Sequence, residues 1–326
     1  MAGHTTGNTS LLRRSEIWSA ELKEILRDDL MATGYVDLIT EFPDGDLFTI
    51  PSVGDAQVDD YTEDQAVVYR PLDTGEWQFS IDEYLSSATY ITKKAEQDMF
   101  YMSQLVSSFV PKQRRAIMEH FETTVFQKPN AILGASANSN YAINGANHRF
   151  SGGGTGGAIE LEDFAYAMYA LKKANVPQTN MIAIVDPSIE YQLNTLSSLV
   201  SVADNPMWEG IVADGIATGM RFVKNVYGFD VYTSNYLDNT VSDSALNDRG
   251  GSAGNIDWST NNGTANLFFS AASDVLPWKA AWRQEPQVDM EWNKDFQRTE
   301  FVTTARYGTK LYRPENMVIV VTPGTV

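Results

Sequence analysis

The chain has 326 residues, 43% of them hydrophobic, which is enough for one large domain or two ordinary domains with buried cores. Its formal net charge of −18 means that the average surface repels nucleic acids and anionic membranes. It contains no cysteine, which excludes disulfides, thiolate nucleophiles and cysteine-ligated metals. Since no apolar run has the length of a signal peptide or a membrane-spanning helix, we expect a soluble protein made in a cytoplasm.

The first predicted element is an amphipathic helix over residues 15–30, preceded by a polar segment, 1–14, that we expect to be mobile. Apolar residues recur along the helix at spacings of three and four, and Ser15 can cap its first turn. Because the helix precedes every core element, it must lie on another surface. It either docks on its own domain or forms an arm that reaches a neighbouring subunit.

Residues 41–83 carry twelve acidic residues and one basic residue, Arg70. The strand-like pieces around this acidic middle are 47–53, 66–72 and 76–81, with a turn at 74–76. The pattern predicts a long two-stranded β ribbon, which would be marginally stable alone and should pack against another surface, such as a basic face of a second copy. A solvated acidic hairpin or a cation-binding loop remains open, although the spacing matches no EF-hand.

Residues 90–126 predict one very long helix, or two helices joined at Pro111. Pro111 lacks an amide N–H and clashes with the preceding turn, so we expect a bend or a restart there. In the second half, Ile117, Phe121 and Val125 fall on the side expected to be buried. A helix of this length, flanked by β-type sequence, would act as a strut in an extended molecule.

The rest of the chain alternates helices with strands. The predicted elements are a helix within 158–177, a buried strand within 180–187, a helix over 187–200, two strands around Gly228, a polar surface loop over 238–264, a buried strand within 266–276, and a β-rich tail that closes on an apolar strand at 317–322. Alternation through Phe301, Thr303, Ala305 and Tyr307 predicts that these four side chains share one face of the tail.

No group of residues makes a case for catalysis. The glycine-rich stretch 151–157 precedes a helix but lacks the lysine of a Walker loop, so we predict a flexible connector. The three histidines, which fall in no metal-binding or catalytic spacing, are His4, His120 and His148. Three tryptophans near the tail could form a sugar or base platform, but packing is their commoner use: Trp278, Trp282 and Trp292. We therefore predict a protein that is not an enzyme and has no catalytic, cofactor-binding or metal-binding residues.

This order of parts resembles the major capsid proteins of tailed bacteriophages, which have the Hong Kong 97-type capsid fold. The most specific signal is EFVTTARYGTKLYRPENMVIVV at 300–321, similar to closing strands in which a peripheral strand returns through a glycine turn and an Arg-Pro-Glu step. The resemblance implies an α+β fold with an N-terminal arm, an extended β E-loop, a long spine helix, a peripheral domain and an axial domain. The implied boundaries are 1–40 for the arm, 41–86 for the E-loop, 87–157 for the peripheral domain with spine helix and following loop, 158–274 for the axial domain, 275–313 for the peripheral-domain strands and 314–326 for the return strand to the axial domain.

The resemblance implies self-assembly into hexamers and pentamers of an icosahedral shell, which encloses a double-stranded DNA genome without sequence-specific binding. The implied partners are many copies of the chain itself, a scaffolding protein, a portal protein at one vertex and a decoration protein. The implied location is the virion, after assembly in the host cytoplasm. An encapsulin-like nanocompartment shell is the alternative. More remote readings are an acidic cytoplasmic α/β enzyme and a carbohydrate-binding tail protein.

In such capsids the E-loop lies on the adjacent subunit's peripheral domain, and the arm braces a neighbour. Residues 93–128 carry six basic and four acidic residues, so an acidic loop on a basic spine is expected. The residues predicted to make inter-subunit contacts are Trp18, Leu22, Asp59, Asp60, Glu63, Asp64, Arg70, Trp77, Lys93, Lys94, Arg114 and Arg115.

Two departures from the type member of the fold carry further expectations. Its covalent cross-link joins an E-loop lysine to an asparagine of another subunit, but residues 41–83 contain no lysine, so we expect no such cross-link. No long scaffolding segment precedes the arm in this numbering. We therefore expect a separate scaffolding protein, unless a pro-segment has been removed.

Overall fold

The structure, a computed structural model, describes residues 30–39, 47–54, 56–67, 69–98, 102–134, 140–195, 222–251 and 256–324. The polar segment 1–14, the predicted N-terminal helix up to residue 29, and with it Trp18 and Leu22, lie outside these residues. The described residues form an α+β fold, as predicted. Among them, no helix is both long enough and apolar enough to cross a membrane.

The described part of the chain contains fourteen strands and four α-helices. The strands are β1 Val36–Leu38, β2 Leu47–Val53, β3 Thr74–Ser80, β4 Glu83–Thr92, β5 Ala142–Ile143, β6 Ala146–Asn147, β7 Arg149–Ser151, β8 Met181–Val185, β9 Phe222–Val226, β10 Phe229–Thr233, β11 Gly263–Ser270, β12 Trp278–Asn293, β13 Arg298–Leu311 and β14 Val318–Pro323. The helices are α1 Lys93–Asp98, α2 Met102–Gly134, α3 Leu161–Lys173 and α4 Pro187–Thr195.

A first sheet with the strand order β1-β12-β13-β4 carries α2 across one of its faces. Phe301, Thr303, Ala305 and Tyr307 of β13 are all buried, which confirms the predicted alternation. From α2, the Phe121 ring meets Tyr307 edge-on, with 5.2 Å between ring centroids. The long helix therefore lies along the face that these alternating side chains form.

The long helix begins and ends later than predicted, and it is not interrupted at Pro111. Its helical residues start at Lys93 instead of residue 90, and α2 ends at Gly134 instead of residue 126. Residues 90–92 belong to β4, which pairs with β13 through Tyr90 and Glu300, so the first helical residue is Lys93. The apolar spacing that begins at Ile91 misled the prediction, because Ile91 is a buried strand residue. The α2 helix continues through Pro111, so the predicted restart is wrong. Pro111 is exposed, where water can satisfy the carbonyl of the preceding turn that the proline leaves without a partner.

A second sheet has the strand order β7-β14-β11-β8-β10-β9. Strand β8 is apolar throughout because both of its faces are buried. Ala183 and Val185 pack into a hydrophobic cluster that contains α3 and α4, whereas Ile182 and Ile184 pack into a second cluster on the opposite face of the sheet. That opposite cluster also contains Phe126 and Leu133 of α2 and side chains of the first sheet. The predicted closing strand is confirmed as β14, which lies between β7 and β11.

The described residues of 238–264 form the predicted polar surface loop up to β11, but apolar side chains anchor this loop on the body of the protein. Val241, Leu246 and Trp258 are buried against the second sheet, and the Trp258 indole N–H donates to Ser151 Oγ at 3.1 Å. Its many aspartates instead close turns, as when Asp243 Oδ1 accepts from the backbone N–H two residues later. The polar composition of this loop therefore reflects turn formation as well as solvent exposure.

The predicted flexible connector at 151–157 is a packed turn. The Gly152 N–H donates to the Val321 carbonyl at 2.9 Å, and the Gly154 N–H donates to the Ala158 carbonyl at 2.9 Å. A Cβ at Gly152 would lie 2.4 Å from the Gly157 carbonyl oxygen. The glycines therefore allow close backbone approach and do not serve as a flexible linker.

The predicted β ribbon is confirmed as the antiparallel pair β2–β3, from Leu47 opposite Ser80 to Val53 opposite Thr74. Two details of that prediction are wrong. The described residues of 66–72, which are 66–67 and 69–72, are not in a strand, and residues 74–76 begin β3 instead of forming a turn. The expected glycine turn at Gly308 is also wrong, since Gly308 lies inside β13 and the chain turns at Pro314–Asn316.

Candidate assembly surfaces

The base of the β2–β3 ribbon packs on the first sheet of its own chain. Phe79 is buried, and the Trp77 ring meets Tyr312 edge-on with 4.9 Å between ring centroids. Lys310 Nζ lies 5.3 Å from the Trp77 ring centroid and donates to the Gln78 carbonyl at 2.7 Å. The structure thus places Trp77, a predicted inter-subunit residue, against its own subunit.

The tip of the ribbon, residues 54–73, is held by a single basic residue. Arg70 Nε and Nη2 each donate to a carboxylate oxygen of Asp59 at 3.0 Å, and Nη1 donates to Gln57 Oε1 at 3.0 Å. The strand end is closed by the Gly54 N–H, which donates to the Asp73 carbonyl at 2.7 Å. Of the predicted contact residues in this tip, the structure brings Asp59 and Arg70 together.

The tip exposes apolar side chains as well as acids. Asp60, Glu63 and Asp64 are exposed, as predicted for contact residues. The large apolar side chains exposed on the tip are Val58 (95%), Tyr61 (72%), Val67 (63%), Tyr69 (94%) and Leu72 (51%). Five large apolar side chains exposed within one loop make this tip a candidate binding surface.

The basic residues predicted to receive the ribbon lie on α1 and α2. Lys94 and Arg114 are exposed. Lys93 pairs with Glu96 at 2.9 Å and Arg115 pairs with Glu119 at 3.0 Å, each within its own helix. Such ion pairs near the surface are individually weak.

A second exposed cluster, which the sequence did not predict, lies at the far end of the first sheet. The Arg298 guanidinium sits 4.5 Å from the Tyr90 ring centroid and 4.7 Å from that of Phe296. Trp292, the one of the three tail tryptophans that is not packed in a core, is 44% exposed nearby on β12. Tyr90 and Arg298 belong to strands far apart in sequence, so only the register of β4 with β13 reveals the cluster.

Polar contacts fix α2 on the first sheet. His120 Nδ1 lies 2.9 Å from the Tyr307 hydroxyl, and the Thr303 hydroxyl donates to Gln113 Oε1 at 2.9 Å in a buried position. Burial raises the pKa of Tyr307 from 10.0 to about 12. These hydrogen bonds fix the position of α2 along β13. Apolar contacts alone would allow the helix to shift along the strand more easily.

A buried arginine joins α2 to the second sheet. Arg149 Nε donates to Asn130 Oδ1 at 3.0 Å and Nη1 donates to Asp243 Oδ2 at 2.6 Å. Asn130 in turn donates to Asp238 at 2.8 Å. Because the Arg149 side chain is only 3% exposed, this network must stay paired to be tolerated.

Two features of the described residues bear on metal binding and catalysis. No group of three or more histidine, aspartate or glutamate side chains among them is arranged to hold a metal. A cleft of about 610 Å³ beside Trp258 is lined by one ionisable side chain, Asp186, among amides and hydroxyls. General acid–base catalysis is built from titratable groups set at distinct positions around a substrate, which this cleft does not offer.

Sequence and fold both match known capsids. A family model described as phage capsid protein matches residues 76–320. The capsid structure of cyanophage P-SCSP1u shares 17% identity and a TM-score of 0.71 over 99% of this chain and 96% of that chain. The cyanophage Pam1 capsid shares 12% identity and a TM-score of 0.69 over 100% of both chains. A chain from Mycobacterium phage Che8 shares 16% identity and a TM-score of 0.66, covering 94% of this chain and 96% of that one. No curated protein matches the sequence.

Proposed function

Because the chain belongs to the phage capsid protein family and is a major capsid protein that forms the shell, we propose that its β2–β3 ribbon is the E-loop through which each copy holds the next. The shell is built from many copies of this chain, which is therefore a structural component of the virion. The observation that carries the proposal is the difference in burial between the base and the tip of the ribbon. Its base is packed on its own subunit, whereas its tip exposes apolar side chains.

Electrostatics supports a basic receiving surface on a neighbouring copy. The segment 41–83 has twelve acidic residues and one basic residue, whereas 93–128 has six basic and four acidic residues. Each exposed ion pair contributes only about 0–1 kcal/mol, so no single contact would hold the shell. Closure of a shell makes the same contact many times, and this repetition turns weak contacts into a stable assembly.

The remaining parts take the roles that the resemblance gives them. The proposed assignment is 1–40 as arm, 41–86 as E-loop, 87–157 with 275–313 as peripheral domain, 158–274 as axial domain and 314–326 as return strand. Hexamers and pentamers of the chain would enclose double-stranded DNA, and the net charge of −18 would limit adhesion to the packaged genome. A scaffolding protein, a portal protein and a decoration protein are the proposed partners, with assembly in the host cytoplasm.

Electron microscopy of the full chain, produced alone and with its candidate scaffolding protein, tests the proposal. We expect closed hollow particles for the wild type, and open sheets or free capsomers when residues 56–71 are replaced by a short Gly-Ser linker. The matched control replaces the polar stretch 259–262, outside the ribbon, with serines and should leave particles intact. A ribbon-tip variant that closes shells as efficiently as the wild type would contradict the role given to the ribbon.

A further inference from the structure

Arg70 uses its guanidinium inside the ribbon tip. Its Nε, Nη1 and Nη2 atoms all donate to side chains of the same loop, two of them to Asp59 and one to Gln57. Arg70 is also the only basic residue between positions 41 and 83. The one positive charge of this segment therefore closes the loop on itself.

The closure fixes the loop that carries the exposed apolar side chains. Val58 is the residue before Asp59, and Tyr69 is the residue before Arg70, so the ion pair sets the separation of these two almost fully exposed side chains. Tyr61 lies two residues beyond Asp59. Without the pair, the acids of the tip would repel one another and the loop would sample wider conformations.

We propose that Arg70 is a positioning residue: its ion pair with Asp59 preorganises Val58, Tyr61 and Tyr69 for burial against a second copy of the chain, and Arg70 itself does not contact that copy. This role depends on the proposed function of the ribbon, and it replaces the inter-subunit contact that was predicted for Arg70 and Asp59. The partner that buries these side chains is a second copy of the chain, because the shell is made of this chain. The exposed Lys94 and Arg114 also complement the charge of the acids around the apolar residues. A loop that is already ordered before docking loses less conformational entropy on binding.

The test compares the yield of closed shells from three variants: Asp59→Asn, Asp73→Asn and a charge-reversed double variant. Asp59→Asn removes the partner of Arg70, whereas Asp73→Asn makes the same charge change at an exposed position of the same ribbon. At limiting subunit concentration we expect Asp59→Asn to lower the yield of closed shells by about tenfold, since the defect recurs in every copy, and Asp73→Asn to change it by less than about twofold. The melting temperature of unassembled subunits should be the same in all three proteins, because the ion pair is exposed.

The charge-reversed double variant Asp59→Arg with Arg70→Asp separates an internal ion pair from a contact with a neighbour. Restored shell yield is the expected result, because the pair can reform within the loop while any contact to another chain would now have the wrong sign. A double variant as defective as Asp59→Asn would overturn the inference, and so would an Asp59→Asn variant with wild-type yield. If replacement of residues 56–71 abolishes shells while Asp59→Asn leaves the shell yield unchanged, only the positioning role of Arg70 fails. If that replacement also leaves shells intact, the ribbon proposal fails with it.

Discussion

At the scale of single residues, hydrogen bonds between buried polar groups fix how α2 is positioned on the two sheets, which apolar packing alone does not determine. Tyr307 contacts Phe121 through its ring and His120 through its hydroxyl, so one side chain contributes both packing and register. Its burial was predictable, because alternation along β13 depends only on neighbours in sequence. The partners of Arg149 were not, since Asn130 and Asp243 lie 19 and 94 residues away and only the folded topology brings them together.

The raised pKa of Tyr307 makes stability depend on alkaline pH. Because burial raises this pKa from 10.0 to about 12, the folded chain holds the phenolic proton more tightly than the unfolded chain does. The resulting stabilisation is complete below pH 10 and is lost as the pH rises toward 12. We expect Tyr307 to contribute a fall of about 2–3 kcal/mol in the free energy of unfolding across that interval, and Tyr307→Phe to remove this component.

Urea unfolding of unassembled subunits between pH 9 and pH 12, followed by tryptophan fluorescence, measures this contribution. The matched control is Tyr84→Phe, because Tyr84 lies on β4 of the same sheet and is 67% exposed. Its pH profile should follow that of the wild type. Parallel profiles for the wild type and Tyr307→Phe would show that the buried phenol does not account for the alkaline loss.

At the scale of elements, prediction succeeded where a local pattern and a partner strand agree. The pair β2–β3 was predicted because both strands have β-type composition around an acidic middle. Residues 66–72 have a similar composition, but the described residues among them pair with no strand and are not in one. Pro111 failed as a helix breaker because a 33-residue helix packed along a sheet outweighs the loss of one hydrogen bond at an exposed turn.

The attachment of the ribbon to the first sheet depends on Gly308. A Cβ at this position would lie 2.4 Å from the Ser80 carbonyl oxygen and 3.0 Å from the Ile81 Cα, both backbone atoms. We expect Gly308→Ala to lower the free energy of unfolding by about 1–3 kcal/mol, because the ribbon base must move away from β13. Hydrogen exchange should become faster at the base of the ribbon before it changes in the second sheet.

Chemical denaturation and hydrogen-exchange mass spectrometry check this expectation. Gly34→Ala is the matched control, because an added Cβ there meets no atom within 4 Å, and it should change stability by less than about 0.5 kcal/mol. Equal effects of the two substitutions would mean that close approach at Gly308 does not hold the ribbon in place.

At the scale of the whole molecule, the family and the fold follow from the order of parts, while the contact surfaces do not. The closing stretch 300–321 carried the resemblance because it combines two strand-like runs with an Arg-Pro-Glu step between them. The cluster of Tyr90, Phe296 and Arg298 has no such signal, because sheet register forms it. Sequence patterns thus identified the type of protein, whereas this exposed cluster becomes visible only in the folded structure.

The composition of the ribbon also predicts how mature shells are held together. Since residues 41–83 contain no lysine, the ribbon cannot supply the amine for an isopeptide bond. We expect denaturing gels of mature particles to show a single band near the 36.2 kDa mass of the chain. A ladder of covalent oligomers that resists boiling in detergent and reductant would contradict this expectation.

Among the described strands, β2 and β3 pair only with each other, so no further strand covers the outer edge of either one. Open strand edges invite pairing with identical edges, which is a common route to aggregation. With twelve acids and one base in the segment, two ribbons that approach edge to edge bring like charges together. We therefore expect this repulsion to disfavour the joining of newly made subunits ribbon to ribbon before a shell forms.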